Sequence, residues 1–239
     1  MIIHKLIAHH LKHGDDASFY QMQADDAIDW LCSEGVALGP HTEVLDLGCG
    51  HGVFGHSLQR RGCPITYADQ VNELAPALAA ASFVAIDLDH DHYNKLGEHD
   101  LVICSNVLEH LARPEDFLKK IRTILRPSGH LYLSWTNWLS PWGGHDFSPF
   151  HYFGPHWGHR IFDRLIGRKR IHTPFETLYP THIGQMIRLI ATIPGLKVKK
   201  VVPRYYREAA LLMKIPVLRE FVAWNCAMLI ERIDLPEEA

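Results

Sequence analysis

The stretch VLDLGCGHGVFG, residues 44 to 55, decides the fold. A short apolar strand carries Asp46 near its end, glycines follow at 48, 50 and 52, and a helix can begin directly afterwards. Glycines at such a point permit positive φ, make a tight turn possible and let a ligand approach the backbone. Glycine spacing alone also fits dinucleotide sites, where a helix N-terminus faces pyrophosphate. Here an acid precedes the glycines, in the order Asp-x-Gly-x-Gly-x-Gly. A carboxylate at the strand end favours a positively charged ligand group, such as the ammonium of an amino acid. A structural turn with incidental glycines is the plainer alternative, and the strand-turn-helix context weighs against it.

Working outward, the pattern alternates strands and helices. Phe19 to Gly35 has apolar groups at Phe19, Met22, Ile28, Leu31 and Cys32 among acids and glutamines, the spacing of an amphipathic helix. Further strands are expected at 42–47, 64–68, 82–86, 100–104, 130–135, 196–202 and 225–233. Helices are expected at 53–61, 114–125, 182–192 and 216–223, and a turn at 126–129. Strands separated by helical stretches imply crossovers, and so a largely parallel sheet covered on both faces.

Bulk composition narrows the class without naming it. The 239 residues are 47% hydrophobic and 21% charged, ordinary for one globular domain. Net charge is -3 with histidines neutral, so no overall basic field draws nucleic acid. Five cysteines are scattered without zinc or redox spacing, which fits free thiols in a reducing compartment. The first sixteen residues are interrupted by Lys5, His9 and His10 and lack a cleavage site, so no signal peptide is expected. No apolar run is long enough for a bilayer. A soluble, cytoplasmic protein follows as the expectation.

On these motifs the chain resembles the class I S-adenosylmethionine-dependent methyltransferases, especially their small-molecule and lipid-modifying members, over roughly residues 40 to 136. The resemblance implies a doubly wound α/β fold with a seven-stranded, mostly parallel sheet, and S-adenosylmethionine as cofactor. It implies that Asp46, Gly48, Gly50 and Gly52 hold the methionine part. It places Asp69, in ITYADQ, on the ribose hydroxyls, with Gln70 near the adenosine. It places Asp87, in FVAIDLDH, on the adenine amino group and Leu88 on the adenine ring, with Asp89 and Asp91 also within reach. In DLVICSNVLEHL it sets Ser105, Asn106 and Val107 along the methyl-transfer site. Glu109 and His110 resemble a pair that orders this loop and touches the cofactor more often than it moves protons. Tyr20 could close over the cofactor as an aromatic lid; a core or surface tyrosine is an equally frequent role.

Residues 136 to 181 break the pattern. They are dense in Trp, His, Pro, Gly and Arg, and too long for a simple connection. Their aromatics argue against disorder. The expectation is a cap inserted after strand five of a single domain, over a small-molecule pocket. His145, Asp146 and His151 are the candidate general bases, since imidazole can accept an alcohol proton as methyl transfers. For any one of these histidines, packing inside the cap is the more frequent role. His145, Asp146, His151 and His156 include good ligand types, but their spacing matches no tight metal signature, so no metal is expected. Arg160, Arg164, Arg168, Lys169 and Arg170 form a basic run; on a helix, 160, 164 and 168 share one face. A solvated face is the commoner outcome, and an anionic or lipid-linked substrate the best functional use.

The expected activity is therefore methyl transfer to a small-molecule, glycan or lipid-linked acceptor, with oxygen first among acceptor atoms. An RNA substrate, a non-catalytic S-adenosylmethionine-binding module and a nicotinamide dehydrogenase on a related sheet are the alternatives. The acid ahead of the glycines weakens the last of these.

Overall fold

The computed structural model describes residues 1–234. Its first two helices are α1 (Ile3–His13) and α2 (Ala17–Ser33), the latter capped by Asp16, whose side chain accepts from Phe19 N at 2.9 Å. Then come β1 (Val44–Leu47), α3 (Val53–Gln59), β2 (Ile65–Asp69), β3 (Ser82–Ala85) and β4 (His99–Ser105). They are followed by α4 (Pro114–Ile124), β5 (Leu125–Thr136), α5 (Gly158–Ile166), α6 (Ile183–Ala191), β6 (Leu196–Pro203), α7 (Leu218–Val222) and β7 (Asn225–Arg232). The seven strands form one sheet in the order β3-β2-β1-β4-β5-β7-β6. Strands β1 to β5 pair in parallel, and β7 runs antiparallel between β5 and β6.

Strand β1 is central and pairs on both sides, so all four of its residues are buried. That is why VLDL is a continuous apolar run interrupted only by Asp46. One apolar layer under the sheet gathers Leu45, Leu47, Val102, Cys104, Leu133 and Trp135 with α4 and α6. The other gathers Val44, Leu101, Ile103 and Tyr132 against α2 and Leu58 of α3. Helix α4 starts with Pro114 at its first turn and Glu115 and Asp116 beside it, the arrangement the helix dipole favours.

Three expectations change. Residues 126–129 do not end a turn before the strand; β5 already begins at Leu125, and the irregularity is absorbed by a register shift opposite His99 and Leu101, with Ser128 at φ 59°. The N-terminal MIIHKLIAHHLKH is a helix, docked through buried Leu6 and the bond from Ile3 N to Tyr205 O. Helix α5 stops at Gly167, so Arg168 lies beyond it and does not share a helical face with Arg160 and Arg164. One member of the basic run is already paired: Arg170 makes two bonds to Asp163, at 2.6 and 2.9 Å.

Between β5 and α6 the chain builds a small apolar core of its own from Trp138, Phe147, Phe162 and Leu178. Among the described residues, no helix is long and apolar enough to cross a membrane.

Candidate active site

In a parallel sheet of this kind the crevice opens at the carboxyl ends of the strands, and there β1 runs into the glycine turn. Gly48, Gly50 and Gly52 take φ of 72°, 49° and 77°, conformations a side chain rarely adopts. Their surroundings differ. A Cβ on Gly48 would stand 2.4 Å from Val107 Cγ2, and one on Gly52 2.7 Å from Leu74 and Leu78. A Cβ on Gly50 would meet nothing within 4 Å. The outer two glycines are therefore needed by the packing, and the middle one faces open space.

Two carboxylates frame the turn. Asp46 is 3% exposed, and its Oδ2 accepts from Gly55 N at 2.8 Å. Burial pushes its carboxyl up to about 7; the Gly55 bond opposes this and the nearby Asp69 charge adds to it. Asp69, at the end of β2, accepts from Gly50 N at 2.8 Å and from Gln70 N at 2.7 Å. Gln70 itself is exposed. Asp87 Oδ1 takes the backbone N–H groups of Asp89 and His90, at 2.9 and 3.1 Å. These bonds and the His90 side chain hold its carboxyl below the usual range, against the opposing effect of desolvation. Leu88 departs from the adenine-stacking expectation: it is 6% exposed and belongs to the core with Tyr93 and Phe117, so it offers no face to a ring.

After β4, Ser105 Oγ accepts from Ser134 Oγ at 3.1 Å. Asn106 sits at φ 57° and its Oδ1 accepts from Asn225 Nδ2 at 2.9 Å and Arg204 Nη1 at 3.2 Å. Val107 seals Gly48. Glu109 is buried; its Oε1 accepts from Thr136 N at 2.9 Å, its Oε2 has no partner, and burial raises its carboxyl. His110 turns to the segment after β5 instead of the glycine turn, with Nδ1 2.6 Å from the Thr177 carbonyl and its ring against His145 and His172. Tyr20 is a half-exposed residue of α2, edge-on to Phe19.

The three candidate bases separate. His151 is fully buried, its Nε2 3.0 Å from the Ser140 carbonyl and its ring packed on Trp138 and Tyr152. It packs inside the inserted segment. Asp146 is committed to Ile171 N at 2.7 Å and to His172 Nδ1 at 2.9 Å, which tie the two ends of α5's flanking loops together. His145 packs against His110 and His172, with buried Nε2 unpartnered. Burial first, then the neighbouring His110 and His172, push its imidazole down to about 3. It is thus neutral at physiological pH but a weak proton acceptor. His156 is exposed and stacks on Phe175, away from this group.

Two residues that touch these groups were not expected. Arg204 is buried between the rings of Phe54 and Tyr205, and its Nε and Nη2 have no partner. His172 completes a set of three imidazoles. The adjoining RYYRE, residues 204 to 208, is a basic-aromatic signal that could have flagged Arg204.

A seven-stranded sheet with the seventh strand antiparallel, and an acid-glycine turn after the first, defines the class I methyltransferase fold. The chain matches a methyltransferase domain family over residues 19–177 and belongs to that family. An uncharacterized methyltransferase of Mycobacterium bovis (strain BCG) is 30% identical, the alignment spanning 90% of this chain and 88% of the relative. A similarly described Mycobacteroides abscessus protein is 27% identical over 94% and 91%. Among solved structures, an S-adenosylmethionine-dependent methyltransferase from Mesorhizobium loti superposes with TM-score 0.59 at 18% identity, covering 87% of this chain and 100% of that one. The magnesium protoporphyrin IX methyltransferase of Synechocystis, solved with S-adenosylhomocysteine bound, gives 0.54 at 16% identity, over 89% and 83%. The chain is a methyltransferase with the fold of S-adenosylmethionine-dependent enzymes.

Proposed function

We propose that this enzyme transfers the methyl group of S-adenosylmethionine to an oxygen of an amphipathic small molecule with an anionic or lipid-linked part. Asp46 faces the cofactor's ammonium, Gly50 leaves room for its backbone approach, Asp69 takes the ribose hydroxyls and Asp87 the adenine amino group. Ser105, Asn106 and Val107 line the path of the methyl. The nucleophile attacks the sulfonium methyl in line, and the protein's contribution is alignment and exclusion of water.

Residues 136–181 act as the acceptor's cap. The observation that carries the acceptor class is a cavity of about 420 Å³ walled by Leu139, Val217 and Phe221 beside Arg188 and the Arg219–Glu220 pair, 3.5 Å apart. That volume is in the range of small-molecule pockets, and its apolar wall beside Arg188 suits an acceptor with a tail and a negative group. Exposed Trp142, Phe153 and Trp157 add apolar surface on the cap. The paired state of Arg170 leaves less of the basic run for RNA.

The test is incubation with methyl-labelled S-adenosylmethionine and separated extract fractions. Label should enter organic-soluble or acidic small molecules. Label confined to the RNA fraction, or no S-adenosylhomocysteine affinity at all, would refute the proposal.

A further inference from the structure

Three imidazoles that lie far apart in sequence meet at one place. His110 ends the turn after β4, His145 begins a single turn of the segment after β5, and His172 follows α5. Their ring centroids stand 4.7 to 5.4 Å apart, and one ring nitrogen from each lies within 4.8 Å of the others. Among the described residues this is the one group of three or more histidine, cysteine or carboxylate side chains so placed.

The hydrogen bonds behind the rings set their chemistry. His110 Nδ1 stands 2.6 Å from the Thr177 carbonyl, and His172 Nδ1 2.9 Å from Asp146 Oδ1. A carbonyl and a carboxylate only accept, so each Nδ1 carries a hydrogen, which leaves Nε2 as the nitrogen free to meet an ion. A carbonyl or carboxylate holding the far nitrogen is how metal-ligating imidazoles are oriented. His145 Nε2 is buried with no hydrogen-bond partner, and its residue holds a left-handed backbone at φ 49°. Ring stacking alone leaves that orphaned nitrogen unexplained, because a buried polar nitrogen without a partner is costly.

We infer that His110, His145 and His172 bind a divalent transition-metal ion of the zinc class through three imidazole nitrogens, leaving a fourth position open. An all-nitrogen set suits zinc, cobalt or nickel and not magnesium or calcium, which take oxygen ligands. Tetrahedral bonds of about 2.0–2.1 Å put the nitrogens about 3.4 Å apart, so the rings close by roughly an ångström, within reach of side-chain rotation. The open position admits a water or an acceptor oxygen, and only that last role rests on the methyl-transfer reading above.

The test uses the full chain, stripped with a chelator and titrated with Co²⁺ as an optical probe for the zinc site. The expected result is one ion per chain with the visible bands of a four-coordinate centre, displaced by Zn²⁺. His172→Gln should weaken Co²⁺ binding about tenfold or more, and Asp146→Asn about tenfold through the loss of the oriented ring. Far-ultraviolet circular dichroism and S-adenosylhomocysteine affinity, both unchanged, show that His172→Gln is folded. His9, His10 and His13 on α1 offer competing imidazoles, and the same comparison separates them. A wild-type chain that takes up no Co²⁺, or equal uptake by folded His172→Gln, overturns the site. Absence of S-adenosylhomocysteine binding by the wild type, with metal or without, would instead count against the cofactor reading and leave the metal inference standing.

Discussion

Asp46→Asn should stabilise the protein without its cofactor while impairing its use of one. The carboxyl is buried at 3% exposure, and its ionisation is held up to about 7 in the fold against 3.8 in an ordinary environment. Below pH 3.8 both folded and unfolded chains carry the proton. Between 3.8 and about 7 the unfolded chain ionises and the folded chain does not, so this group's contribution to stability falls as pH rises and levels off above about 7. The difference of about three pH units, at about 1.36 kcal/mol each, sets a ceiling near 4 kcal/mol. Asparagine mimics the protonated acid at every pH and keeps an oxygen for the Gly55 N–H, 2.8 Å away. Its advantage should therefore grow from about 2 kcal/mol near pH 5 to about 4 kcal/mol near pH 8. Urea denaturation at the two pH values reads this directly, and calorimetry with S-adenosylhomocysteine reads the other half. The variant should lose at least about tenfold in affinity, about 1.4 kcal/mol, because the ligand's ammonium loses its counter-charge. Wild-type affinity should rise with pH through about 7, as Asp46 ionises. An asparagine variant no more stable than wild type near pH 8 would refute the reasoning, as would unchanged affinity.

Other expectations follow from the same geometry. Gly48→Ala drives a methyl to 2.4 Å from Val107 at a positive φ, and should lower stability by about 1–3 kcal/mol in thermal or urea unfolding. Gly50→Val meets open space in the protein, so its larger effect should be lost S-adenosylhomocysteine binding in a chain that still folds. His151→Ala should cost about 2 kcal/mol of stability through the cavity it leaves, and the pH profile of methyl transfer should keep its inflections. Arg204→Leu, which removes the buried guanidinium with unpartnered Nε and Nη2, should weaken S-adenosylhomocysteine by about tenfold or more in calorimetry.

The parallel half of the sheet was legible because buried strands such as VLDL and LVIC have no alternative use for an apolar run. Glycines at 48, 50 and 52 could be placed from their order, but not told apart. Only the neighbouring Val107, Leu74 and Leu78 show which of them the packing requires. A motif position does not reveal which way a leucine faces: Leu88, expected on an adenine ring, packs in the core with Tyr93 and Phe117. Helix α1 was overlooked although Ile3, Leu6, Ile7 and Leu11 recur at helical spacing, because the segment was weighed only as a signal peptide. His151 and His145 look equivalent in sequence, six residues apart, yet one is packed on Trp138 and the other against His110. His172 escaped notice because no local spacing links it to His145; the loop after α5 brings them together. Arg204 belongs to the same kind, reaching Asn106 from 98 residues away.

The antiparallel seventh strand has a consequence for handling the protein. Because β7 runs against β5, it is the beginning of β7 that lies at the crevice, with Asn225 opposite Thr136, while Arg232 lies at the far edge of the sheet beside Leu125. Helix α1 is attached on the other side of that geometry, through Ile3 and Tyr205, next to buried Arg204. A tether, fluorophore or solid support placed past Arg232 therefore points away from the mouth, and the same attachment at the first helix crowds it. Immobilised enzyme should bind S-adenosylhomocysteine at full capacity in the first orientation and at reduced capacity in the second.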